Sequence, residues 1–60
     1  RTSFELVQKA IMLGVPILCS VGAPSSLAYE LAKENNLTLI GFLKEDKFNV
    51  YCGGFRIKNS

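Results

Sequence analysis

Sixty residues with 7 basic and 5 acidic side chains, no His and two Cys describe one small domain of marginal stability, which must bury nearly every apolar side chain it has. A net charge of +2 without a Lys/Arg cluster argues against nucleic acid as a partner, and no apolar run approaches the ~18 residues that would signal a membrane span. Without His, neither a His-based metal site nor a Ser-His or Cys-His nucleophilic pair can be built from these residues. Cys19 and Cys52 are too few and too far apart for a disulfide-stapled miniprotein, which points to a reducing, cytoplasmic setting. Arg1 leads into an amphipathic segment instead of the apolar stretch of a secretory leader, and no Met stands first, so a processed chain or a piece of a longer polypeptide is expected.

A helix is predicted from about Ser3 to Leu13. Thr2 reads as its cap, with Glu5 completing a capping box, Phe4, Val7, Ala10 and Ile11 lining one face, and Gly14 as the stop. Val15 to Val21 is nearly continuous in apolar residues, the composition of a strand covered on both faces, with Cys19 as an inert core residue. Gly22 to Ser26 is a turn in which either serine can cap the next helix. That helix runs to about Glu34 and turns Leu27, Ala28, Leu31 and Ala32 inward; Asn35-Asn36 ends it.

A second apolar strand is expected over Leu37 to Leu43, then a polar four-residue turn, Lys44-Glu45-Asp46-Lys47. Phe48, Val50 and Cys52 alternate with Asn49 and Tyr51, as in an edge strand with one covered face. Gly53 onward reads as a loose tail. The order helix, strand, helix, strand, strand predicts a parallel crossover closed by an antiparallel hairpin, an α/β arrangement. One sheet face and one edge would stay uncovered, to be completed by more chain or by a second copy.

In open α/β sheets ligands bind beyond the carboxyl ends of the strands. Here that rim holds the Gly22 to Ser26 loop, whose serines and helix-opening N–H groups suit an anion, and the Lys44 to Lys47 turn. Glu45 and Asp46 oppose a phosphate but accept hydrogen bonds from a base or ribose. A plain helix cap and a soluble hairpin tip are the structural readings of the same residues. Tyr29 and Tyr51 read as packing residues, and Cys52 has no neighbour that would activate it.

Several blocks, taken in order, also carry a resemblance. Arg1 through Ala10, Gly14-Val15-Pro16-Ile17-Leu18, Ala23-Pro24-Ser25-Ser26-Leu27-Ala28, Leu37 through Leu43 and Phe48-Asn49-Val50-Tyr51 closely resemble the carboxy-terminal portion of the FdhD family, sulfurtransferases required for formate dehydrogenase. The resemblance implies a cytidine-deaminase-like α/β fold, with residues 1–60 as the carboxy-terminal segment of one domain. It implies sulfur taken from a cysteine desulfurase as a persulfide and passed to the molybdenum bis(molybdopterin guanine dinucleotide) cofactor, held as cargo, before insertion into formate dehydrogenase. A homodimer in the full-length form and no directly bound metal are implied as well.

The family's Cys-Gly-x-Cys-Gly loop is absent from these 60 residues, so no catalytic role passes to Cys19 or Cys52. What the resemblance carries over is a guanine-nucleotide loop at Leu43, Lys44, Glu45, Asp46, Lys47 and Phe48, with Arg1, Ser3, Ser25 and Ser26 as weaker candidates. Asp46 stands where the family often has Gly, which weighs against tight backbone approach to a phosphate, while Lys47 keeps the basic charge. The competing readings are a non-catalytic nucleotide- or partner-binding module and a structural fragment that needs its other half to fold.

Overall fold

The computed structural model describes residues 2–57. Helix α1 spans Phe4–Met12 and strand β1 Ile17–Val21; helix α2 spans Ser26–Glu34, followed by β2 Thr38–Lys44, β3 Lys47–Cys52 and a 3₁₀ turn at Gly54–Arg56. The sheet has the order β1-β2-β3. β1 and β2 run parallel, with Ile17 opposite Thr38 and Val21 opposite Phe42, and β3 returns antiparallel. The predicted parallel crossover and terminal hairpin are therefore both present.

Both helices lie on one face of the sheet. Val7 and Ala10 of α1, Ala28 and Ala32 of α2, and Leu37 and Leu39 form one buried cluster, fringed by Ile11, Leu18, Leu31, Tyr51 and Cys52. Alanine at the helix contact positions lets the two helices approach closely, so the larger Leu39 fills the space beneath them. Leu27, expected inside, is exposed, because α2 meets α1 and the sheet only along its Ala28, Leu31 and Ala32 stripe.

The caps differ in part from the sequence reading. Ser3, not Thr2, caps α1: its backbone is extended and its hydroxyl accepts from the Leu6 N–H at 3.2 Å. Thr2 is buried, and its carbonyl accepts from the Ser25 N–H at 3.2 Å, tying the start of α1 to the start of α2. Glu5 falls in the first turn as a charge facing the helix dipole. Ser25 is the serine that caps α2, accepting from the Ala28 N–H at 3.2 Å.

The strands are also corrected. β1 begins at Ile17 instead of Val15, and only its Leu18 and Ser20 side is half-buried. Its other side leaves Cys19 exposed. The expected four-residue turn is shorter: Lys44 and Lys47 pair across the hairpin, leaving Glu45 and Asp46 as the turn.

The alternation expected in β3 is interrupted by a bulge. Between the pairs Leu39–Cys52 and Ile40–Val50, β3 has one residue more than β2. The extra residue is Tyr51, so Tyr51 and Cys52 both reach the helix-covered core.

The expected loose tail is instead a defined turn over Gly53–Ile57. Gly53 turns it in a left-handed conformation (φ 71°), and the Thr38 hydroxyl donates to the Gly53 carbonyl at 2.6 Å. Arg56 donates from Nη1 to the Thr38 hydroxyl at 3.0 Å and to the Asn36 carbonyl. This hook closes the amino end of β2, opposite the rim where ligands are expected. The predictions for Arg1 and for the last three residues lie outside the described residues.

Candidate functional site

The parallel pairing of β1 and β2 brings the Gly22 to Ser26 loop and the 45–46 turn to one end of the sheet. The Gly22 N–H donates to the Phe42 carbonyl at 2.9 Å, extending the ladder one residue past β1 before the chain swings into α2. Behind this loop is a cleft of about 310 Å³ between residues 23–26, Tyr29 and Glu30 of α2, and Tyr51 of β3. Tyr29 comes one turn after the Ser25 cap, which turns its ring to the same side of α2 as the cap. Tyr51 is brought in by the bulge.

The serines predicted as weaker candidates do gather near this rim. The Thr2–Ser25 backbone bond sets the Ser3 and Ser25 caps side by side, and Ser26 lines the cleft. Two helix N-termini thus point their partial positive charge toward one end of the molecule. The Ser3 and Ser25 hydroxyls are already engaged as cap acceptors. A ligand would therefore meet free backbone N–H groups of the first turns before it met those oxygens.

The hairpin residues Leu43, Lys44, Glu45, Asp46, Lys47 and Phe48 are all exposed. They stand at the same end of the sheet but outside the cleft wall. The Phe42 and Phe48 rings, with centroids 5.5 Å apart and tilted by 50°, brace the base of the hairpin. Across it, Lys44 faces Lys47. Two like charges held on neighbouring strands repel, and an anion bridging them relieves that repulsion. The chemistry available at this end is binding: two ammonium groups, helix-opening N–H groups, tyrosine rings and the Glu30 carboxylate.

Sequence reasoning located the rim through topology and missed the cleft residues Tyr29, Glu30 and Tyr51. The spacing of Tyr29 from the Ser25 cap was a usable signal. Tyr51 had none, since the bulge that places it is a tertiary feature.

The Cys52 thiol is not activated. Burial pushes the Cys52 thiol above the ordinary thiol range, outweighing the lowering effects of a backbone hydrogen bond at Leu39 and of the Lys33 charge. Its Sγ also donates to the Leu37 carbonyl at 3.3 Å. Because the folded pKa lies above the unfolded one, this contribution to stability is fully present below the unfolded pKa and is lost as pH rises through the folded pKa. Stability in urea is expected to fall as pH rises past the ordinary thiol value, and to fall less in Cys52→Ala; equal losses in both proteins would count against the assignment.

Comparison with known proteins decides the ancestry of this arrangement. The model of the FdhD/NarQ family matches residues 1–58. The chain belongs to the FdhD/NarQ family. A relative in Nocardia farcinica named sulfur carrier protein FdhD is 59% identical over 59 residues, which is 98% of this chain and 21% of the relative. Relatives of the same name in Streptomyces avermitilis and Mycobacterium tuberculosis are 60% and 54% identical over 57 residues, 95% of this chain. This FdhD/NarQ chain thus spans about a fifth of the length of the curated relatives it matches. Among the described residues, no helix is long and apolar enough to cross a membrane.

Proposed function

We propose that this chain is the nucleotide-holding segment of an FdhD-type sulfur carrier with a cytidine-deaminase-like fold. In this reading the full polypeptide receives sulfur as a persulfide from a cysteine desulfurase. It delivers that sulfur to the molybdenum bis(molybdopterin guanine dinucleotide) cofactor, which is cargo, before the cofactor enters formate dehydrogenase. The full-length protein acts as a homodimer in the cytoplasm. This segment binds and orients the cargo and contributes no nucleophile.

The observation that carries the reading is the facing pair Lys44 and Lys47 at the carboxyl rim of the sheet, in a chain whose relatives are named sulfur carriers. Such a pair suits the diphosphate of a nucleotide, with the base or ribose within the range of Glu45 and Asp46. The test uses a full-length polypeptide in which this chain replaces the matching segment of the Nocardia farcinica relative. Changing both lysines to Ala is expected to weaken guanosine diphosphate binding by roughly 10- to 100-fold, about 1.4 to 2.8 kcal/mol, with the circular dichroism spectrum unchanged because both side chains are exposed. An unchanged Kd would overturn the placement of the nucleotide at this hairpin.

A further inference from the structure

Between Phe4 at the start of α1 and one flank of α2 lies a groove of about 440 Å³, its α2 side formed by Ser26, Leu27, Glu30, Leu31 and Glu34. Its floor is apolar. Phe4 and Leu27 are 37% and 66% exposed, and Leu31 is half-buried against the core. Its wall is acidic. Glu30 and Glu34 stand one turn apart on α2, where like charges repel, and among the described residues neither is paired with a cation. Lys33, the base nearest to them in sequence, is engaged elsewhere, with its Nζ 5.9 Å from the centre of the Tyr29 ring. Exposed apolar surface with a polar rim marks an interaction site more often than a face that only meets water. Ser26 and Glu30 also line the rim cleft, so groove and cleft adjoin along α2.

We propose that this groove docks a basic amphipathic helix of a partner protein, with aliphatic side chains on Phe4, Leu27 and Leu31 and two Lys or Arg side chains, one turn apart, on Glu30 and Glu34. Helix-in-groove recognition reads anchors at i, i+3 or i+4 and i+7. The nine residues of α2 offer such a helix about 14 Å of length at ~1.5 Å per residue. Charge selects the occupant. An acidic segment is repelled by the same two carboxylates. A second copy docking through the same patch sets acid against acid, because a two-fold interface brings each surface onto itself. A basic helix instead relieves the repulsion between Glu30 and Glu34, and its association is steered by charge and screened by salt. The shared residues Ser26 and Glu30 place the docked helix beside the rim cleft. The inference needs only this groove and its charges, and stands whether or not a nucleotide binds at the hairpin.

The test uses the Nocardia farcinica chimera and a fluorescent, helix-stapled peptide of about 14 residues, with leucine at i, i+3 and i+7 and two flanking lysines. A second peptide carries glutamate in place of lysine. The lysine peptide is expected to bind at least about tenfold more tightly than the glutamate peptide, and more weakly as NaCl rises. Glu30→Lys combined with Glu34→Lys, both at exposed positions, is expected to reverse that preference. A Leu27→Cys variant labelled with a maleimide supplies a footprint that does not depend on the charge-reversed protein folding. Its labelling is expected to be fast alone and slowed about tenfold by saturating lysine peptide. No binding, equal binding of the two peptides, or a preference untouched by the double charge reversal would overturn the proposal. So would protection of Leu27→Cys without peptide, since the groove would then be filled by the polypeptide itself or, where dilution removes the protection, by a second copy.

Discussion

Replacing Gly41 with alanine is expected to remove the cooperative unfolding transition of the chain. Gly41 sits mid-strand in β2, on the face that meets the helices. A Cβ built there would collide with the Gly22 carbonyl oxygen and stand 2.7 Å from Cε2 of Tyr51. Gly22 is held by its own bond to Phe42, so its carbonyl cannot withdraw without breaking the ladder where β1 ends. Overpacking of this kind costs about 3 kcal/mol, comparable with the whole stability of roughly 3 to 9 kcal/mol expected at this length.

The effect reaches the candidate site because Gly22 opens the loop that walls the cleft and Tyr51 lines it. Gly54→Ala is the control, since a Cβ there meets nothing nearer than Val50 Cγ1 at 4.0 Å. Urea unfolding followed by circular dichroism separates the two. A Gly41→Ala midpoint equal to that of the parent would show that β2 and the Gly22 loop are not held as close as described.

Gly53→Ala is expected to release the hook at the other end of β2, at a cost of about 2 to 3 kcal/mol. Two effects add at this position. Gly53 has φ 71°, and its Cβ would lie 2.5 Å from Thr38 Oγ1 and 2.6 Å from Thr38 Cα. Thr38 is fully buried, and its hydroxyl depends on the Gly53 carbonyl for its hydrogen bond. Displacing Gly53 leaves that hydroxyl buried without its acceptor. Arg56→Ala, which removes an exposed guanidinium and its hydrogen bonds to the Asn36 carbonyl and the Thr38 hydroxyl, is expected to cost about 1 kcal/mol, less than the glycine change. Similar unfolding midpoints for the two variants would show that the hook is held by the arginine and not by the glycine turn.

These two glycines show where the sequence was and was not informative. Both helices were legible because Val7, Ala10, Ala28 and Ala32 recur at helical spacing, and all four are buried. The crossover and hairpin were legible because strand-helix-strand spacing allows few connections. The cap of α1 falls one residue later than expected: Thr2 and Ser3 are equally good by type, and it is the Ser3 hydroxyl that accepts from the Leu6 N–H, while the Thr2 carbonyl is tied to Ser25. Asn36, Thr38, Gly53 and Arg56 meet across many positions of sequence, so nothing local announced the hook.

The candidate site divides in the same way. Topology alone placed the Lys44 to Lys47 turn and the Ser25 loop on one rim, because parallel strands put their carboxyl ends together. Tyr51 entered the cleft only through the bulge beside Cys52, which undoes the two-residue alternation on which any reading of β3 depends.

By itself the sequence determined the order of elements, the buried stripe of Val7, Ala10, Ala28 and Ala32, and the family, since these follow from residue spacing and from identity with relatives. Only the tertiary structure decided which residues line the rim cleft, where the tail turns back, and that, among the described residues, the apolar side chains on the far side of β1 stay exposed. Local patterning records that a residue is meant to be buried. What buries it, or leaves it exposed, is decided by contacts between distant segments, as the exposed Ile17, Cys19 and Val21 show.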